Sequence, residues 1–365
     1  VAMLKFSNYW VALVVSVFLL VFVALMPNAH SQMTYTTDSG LPIKWKSLPV
    51  KICVHESVPR KQRQAMMKAM EVWNQAFPKP LFATPCESKT PLNKIEKIDD
   101  HSIYWVTHDF HQFTEKTSLA RTIYEFDQKT GEMTDTDIVI NAEYFNWDRT
   151  NADLKTVMIH ELGHVLGLRH HFISRESVMN YFPYLSGYRS KGFGEYEKNA
   201  IAELYFEKPW QIPNYLKKHF ANDRAGAIQS LKEIKNPGTD QVFSLATMLK
   251  TEKKYQEAVE QFQVFLRLNP QDEIALYQLG DTQWGANQLP EAIKTFESVL
   301  KINPHHYESA ANLGFIYLQK GDQKKAKEYL VKALANNPSH FVACQLLFGI
   351  TKNKKYKDCF KRFSP

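Results

Sequence analysis

The second half of the chain repeats itself. Asn269-Pro270, Asn303-Pro304 and Asn337-Pro338 stand 34 residues apart. Ala246, Gly280 and Gly314 keep that spacing, as do Ala258, Ala292 and Ala326, and Leu245, Leu279 and Leu313; Phe262, Phe296 and Leu330 follow it too. A unit of this length holds two helices and their turns. Small residues at fixed points let the two helices cross closely, and the proline stops the second one. One unit cannot bury its apolar face alone, so successive units must stack. An irregular helical bundle would not keep several registers at one period.

The pattern resembles the tetratricopeptide repeat. Three full repeats cover 239–340. Residues 207–238, opened by Pro209 and Pro213 and ending near Asn236-Pro237, read as a linker and a degenerate helical repeat. Residues 341–365 read as capping helices. The resemblance implies a protein partner bound through the repeats.

Before the repeats the pattern changes. PVKICVHE (49–56) alternates and predicts a strand; Pro59 opens a helix whose Met66, Met67, Met70, Trp73 and Phe77 recur at helical spacing, as core packing does. Residues 78–93 carry four prolines and read as loop. Ser102–Val106, Leu119–Phe126 and Asp137–Asn141 read as strands, the last two joined through Gln128-Lys129-Thr130-Gly131. Glu197–Phe206 reads as a closing helix. The order predicts an α+β domain over 48–206.

That domain contains HELGHVLGLRHH, His160 to His171. His160 and His164 are one helical turn apart on one face, and Asn151 or Asp153 is placed to cap that helix. Two imidazoles and a third ligand leave zinc a position for water. Glu161 beside the first histidine is placed to take a proton rather than to ligate. Gly167 can adopt positive φ and end the helix, after which His170 can double back to the metal. In an uninterrupted helix His171 would lie about 10 Å beyond His164, too far to share a metal. His171 is therefore expected to point elsewhere.

HExxHxxGxxH followed by Met179 in SVMNY resembles the metzincin signature, and 137–205 is similar to the matrixin group. DIVINAEYFNW (137–147) resembles the matrixin edge strand and the approach to the active helix; EKNAIAELY (197–205) resembles the closing helix. The resemblance implies that His160, His164 and His170 ligate Zn2+, that Glu161 is the general base, and that Met179 forms an apolar floor under the metal. It also implies an extended substrate along the strand ending near Asn141, with 182–194 walling the pocket beyond the scissile bond. Three features depart from the matrixin pattern. His171 is not the usual residue after the third ligand. Tyr181, two after Met179, is similar to a tyrosine of astacins and serralysins that ligates the metal or steadies the oxyanion; simple packing is the other reading. The stretch between Ser31 and the first strand holds no cysteine, so latency through a propeptide cysteine is not expected. His101, His108, Asp109 and His111 raise a second metal site, but at a spacing foreign to the family.

Tyr9–Met26 is an apolar, uncharged run of 18 residues behind Lys5, with Ser16 its one small polar residue, followed by Ala29-His30-Ser31. At a helical rise it spans about 27 Å, against ~30 Å of hydrocarbon. Residues 1–31 thus read as a signal peptide cut after Ser31 or as an uncleaved membrane anchor, and either exports the rest, to a secreted or periplasmic location. Export permits disulfides, and the positions of the four cysteines suggest one pair per domain, Cys53 with Cys86 and Cys344 with Cys359; four unpaired thiols are the other reading. The formal charge of +7 is spread over lysines on helix faces rather than a patch interleaved with aromatics, which argues against nucleic acid.

The sequence therefore predicts an α+β metzincin-like catalytic domain followed by an all-α tetratricopeptide-repeat solenoid. The expected function is an exported zinc endopeptidase acting on protein or peptide substrate, with the repeats recruiting substrate or partner. The competing reading is a repeat-based binding scaffold with an inactive zinc site. A structural site has no use for a base such as Glu161.

Overall fold

The computed structural model describes residues 34–363 apart from 91–94, 96–100, 149–151, 172–174, 176, 181–192, 208–212 and 221. The N-terminal part is built on a five-stranded sheet: β1 (Cys53–His55), β2 (Cys86–Ser88), β3 (Ser102–Val106), β4 (Ala120–Phe126) and β5 (Met133–Asn141), in the order β2-β1-β3-β5-β4. All neighbours run parallel except β4, which is antiparallel to β5. Helix α1 (Arg60–Ala76) and helix α2 (Leu154–Val165) pack on the inner face, where Val54, Ile103, Ile138 and Ile140 meet Met66, Trp73, Met158 and Leu162. Tyr104, Val106 and Val139 point to the other face and pack with Ile95 and Phe110. Helix α3 (Glu195–Tyr205) closes the unit.

Two expectations about the sheet are corrected. DIVIN is not an edge strand: β5 lies between β3 and β4, and β4 is the edge. The reason is visible in burial, since Asp135 to Asn141 are all buried whereas β4 is open along much of its length. A near-continuous apolar run marks a strand covered on both faces. The proline-rich stretch after residue 78 is not all loop either. Its Cys86–Ser88 form β2, paired in register with β1 and joined to it by the Cys53–Cys86 disulfide.

The chain is already packed on this unit from Thr34 onward. The Tyr35 N–H donates to the Gly167 carbonyl (2.8 Å), the Trp45 indole to Val165 O (2.8 Å) and Lys44 Nζ to Leu204 O (2.8 Å).

Among the described residues ten helices follow: α4 (Asn214–Phe220), α5 (Arg224–Lys232), α6 (Thr239–Thr251), α7 (Tyr255–Leu268), α8 (Glu273–Gly285), α9 (Leu289–Ile302), α10 (Tyr307–Gln319), α11 (Gln323–Asn336), α12 (Phe341–Thr351) and α13 (Lys354–Phe363). The first helices of successive pairs begin at 239, 273, 307 and 341, each 34 after the last. The period therefore runs one pair past 340, into the region expected to cap the array. Cys344 in α12 is bonded to Cys359 in α13. Among the described residues no helix is long and apolar enough to cross a membrane; residues 1–31 lie outside them.

Candidate metal centre

Helix α2 carries the motif. Asp153 caps it, its carboxylate accepting the Thr156 N–H at 3.1 Å. Every residue from Thr156 to Val165 is buried, so the helix has no solvent face to spare for an unpaired polar group. Gly167 ends it at φ +90°, with the Leu168 N–H returning to Gly163 O at 2.9 Å. A side chain at Gly167 would be strained by that φ, and its Cβ would stand 2.4 Å from the Ile43 carbonyl oxygen.

The turn brings His170 back over His160 and His164. Their Nε2 atoms converge, with separations of 2.7 Å (His160 to His170), 2.9 Å (His164 to His170) and 3.2 Å (His160 to His164). The tautomers follow from the opposite nitrogens. His160 Nδ1 meets Val178 O at 2.8 Å and His164 Nδ1 meets Leu168 O at 2.8 Å. A carbonyl only accepts, so each Nδ1 carries the proton and each Nε2 presents a lone pair to the centre. Burial holds His160 down at about 4 and His164 at about 3, so both are neutral at ordinary pH. Burial also holds His170 well below its ordinary value, and three neutral imidazoles whose Nε2 atoms converge form a donor set that suits zinc. Among the described residues these three form the one His/Cys/Asp/Glu group able to hold a metal.

Glu161 is buried, and burial pushes its carboxyl up to about 7, close to neutrality. Thr122 of β4 donates its hydroxyl to Glu161 Oε2 at 2.6 Å and so orients the carboxylate. This threonine carries no motif; strand pairing across β5 delivers it. The only sequence signal was its inward phase in an alternating strand.

Met179 is fully buried against α2, its sulfur 2.4 Å from where a Cβ on Gly163 would sit. The glycine inside HELGH is thus the residue that lets the methionine reach the helix. The methionine turn is fixed by Glu197, whose Oε1 takes the Ser177 hydroxyl and the Met179 N–H (3.2 Å) while Oε2 takes the Gly194 N–H (3.0 Å). Burial pushes that carboxyl up to about 7 as well. His171 faces away from the triad: its Nε2 meets Ser177 Oγ at 2.6 Å and its ring lies 3.9 Å from that of Tyr196. Sequence reading missed Thr122, Gly163 and this role of Glu197. Tyr181 and most of the wall 182–194 lie outside the described residues. His101 pairs with Asp135 at 2.6 Å, and it forms no metal group with His108, Asp109 and His111.

A five-stranded sheet, a buried helix bearing HExxH, a glycine turn returning a third histidine and a methionine turn beneath make an arrangement similar to that of metzincin-type domains. Residues 44–206 match the family model described as Matrixin, and residues 283–347 match one described as Tetratricopeptide repeat. The chain joins a matrixin-like peptidase domain to a tetratricopeptide array. No curated protein matches it. Among solved structures it is similar to MamA (21% identity over 43% of this chain and 94% of that one, TM-score 0.38). It is also similar to YrrB, titled a TPR protein with an unusual peptide-binding site (23% identity, 40% and 78%, TM-score 0.34). A third is a tetratricopeptide repeat protein from Parabacteroides merdae (20% identity, 41% and 62%, TM-score 0.36).

Proposed function

We propose that the chain is an exported zinc endopeptidase, with His160, His164 and His170 as ligands, Glu161 as general base and the repeats as a protein-binding array. The observation that carries this reading is the convergence of three imidazole Nε2 atoms on the helix that also bears the buried carboxylate of Glu161. Zinc bound there would polarise the scissile carbonyl and acidify water. Glu161 takes the proton of the attacking water and delivers it to the departing amide nitrogen. Because Thr122 holds Oε2, Oε1 is the oxygen that carries the proton. Met179 and Glu197 keep the floor and the Val178 carbonyl in place, and that carbonyl fixes the tautomer of His160. The substrate lies as an extended strand on the open edge of β4, paired to its backbone, rather than along β5.

The test is cleavage of an unfolded protein by the purified chain, with and without chelator, and with the products sequenced. Chelator-sensitive cuts inside the chain support an endopeptidase. Loss of residues only from the ends would replace that reading. A zinc-loaded protein that binds partners and cuts nothing would favour the scaffold. Export is tested by fractionating cells and sequencing the N-terminus of the mature protein, which separates cleavage after Ser31 from retention of residues 9–26 as an anchor.

A further inference from the structure

The described residues between the third histidine and the methionine turn are held in two ways. At the ends the hold is local, through His171, Ser177 and Glu197. In the middle stands Arg175, five residues after His170 and four before Met179, and Arg175 is held by the repeats. Its backbone N–H donates to Asp240 Oδ1 at 2.8 Å. Its Nε reaches both oxygens of Asp272 (3.1 and 3.0 Å) and its Nη2 reaches Asp272 Oδ2 at 2.9 Å. Asp240 lies in the first turn of α6 and Asp272 caps α8, so two successive repeats present their helix starts to one catalytic-domain residue.

This contact differs from the surface ion pairs of the array. The two side chains are 13% and 14% exposed, and the guanidinium engages the carboxylate through two nitrogens. A shielded fork of this kind fixes geometry as well as charge. The array is also no loose tether. One contiguous apolar cluster runs from Ile138, Met158 and Met179 into Phe296, Leu313, Leu330 and Leu347. At the far end Phe363 of α13 packs edge-on against Tyr144, 5.9 Å between centroids.

We propose that Arg175 is a positioning residue through which the repeat array, by Asp240 and Asp272, steadies His170 and Met179 on either side of it. The repeats then serve the metal centre as well as a partner. This rests on the zinc reading of the three histidines, and the experiment separates the two.

The full chain is compared with Arg175→Gln, Asp272→Asn, the double variant and Arg224→Gln. Asparagine keeps the cap on α8 while removing the charge. Arg224 pairs with Glu252 inside the array and serves as control. Two readouts are taken: the rate of zinc transfer to a chromogenic chelator, and hydrogen exchange of peptides spanning 177–180. Each single variant is expected to lose zinc about tenfold faster, as removal of a group that orients a ligand does, and to lose protection at 177–180. The double variant is expected to be no worse than the singles, since both remove one interaction. Arg224→Gln should match wild type. Wild-type zinc loss and exchange in Arg175→Gln and Asp272→Asn, or effects that simply add in the double variant, would overturn the proposal. If wild type binds no zinc, the zinc reading has failed by itself; exchange at 177–180 then decides alone, lost protection upholding the hold by Arg175 and unchanged protection overturning it.

Discussion

The two halves of the molecule are stabilised by opposite means. In the repeats the same positions do the same job every 34 residues, and partners are near in sequence. Ala246, Ala258, Ala292, Ala310 and Ala326 are wholly buried where helices cross, and each pair leans on the next. In the peptidase unit the centre is assembled from single residues far apart in sequence. Thr122 reaches Glu161 across 39 positions, Trp73 reaches Ile159 across 86, and Tyr35 lies beside His164 across 129. Damage in the array away from its contacts with the N-terminal unit, such as Arg175 with Asp240 and Asp272, should therefore stay local, whereas damage at the centre has no neighbour of the same kind to absorb it.

The largest effect expected from this contrast is at the ligands. His160→Ala, His164→Ala and His170→Ala should each weaken zinc retention more than a hundredfold, measured by competition with a chelator. His171→Ala should keep zinc at full stoichiometry, because that ring is turned to Ser177 and Tyr196. If His171→Ala lost zinc and His170→Ala did not, the register of the turn would be wrong.

Next come two positive-φ glycines. Gly167→Ala meets the Ile43 carbonyl at 2.4 Å, while Gly321, at φ +79° in the array, has nothing within 4 Å. Both substitutions cost the dihedral strain of about 1 kcal/mol, and Gly167→Ala should cost about 2 kcal/mol more through the clash. Thermal unfolding of the two variants reads the difference; equal losses would mean that the N-terminal wrap does not hold the turn.

A smaller effect is expected from Thr122→Val, about a tenfold fall in kcat. The hydroxyl holds the Glu161 carboxyl down against the rise that burial causes. Without it the base form needs a higher pH, so the acid limb of kcat/KM should move up. An unmoved limb would mean that Glu161 is not the group seen in it.

The smallest is in the array. His306 and His340 cap α10 and α12 through neutral Nδ1, accepting N–H bonds at 3.2 and 3.1 Å, and burial holds both at about 4. Between about 4 and the ordinary value of 6.5 the unfolded chain binds more protons than the folded one, so stability falls as pH is lowered through that window. His306→Asn with His340→Asn should flatten this dependence in melts of the full chain between pH 7 and 4, leaving zinc retention unchanged. A slope as steep as wild type would show that the caps do not titrate with folding.

The same contrast explains what could be read in advance. The 34-residue period and HExxHxxGxxH were legible because each is fixed by local geometry, a helix pair in one case and a single turn with a glycine stop in the other. The two disulfides followed from one cysteine pair in each half. What escaped depends on pairing across the fold. DIVIN looked like an edge because only the sheet order shows β4 outside it. Thr122, Glu197 and Arg175 are ordinary residues until strand, helix and repeat bring them to the centre. Arg175 and Asp272 are 97 positions apart and carry no mutual pattern.

The central claim is that Glu161 moves the proton at a zinc held by three histidines. It is tested most directly by loading wild type and Glu161→Gln with zinc to equal, measured stoichiometry and following cleavage of one unfolded protein. The account predicts that zinc content stays equal and that the rate falls about a hundredfold or more. Equal cleavage by the two at equal zinc content would contradict it.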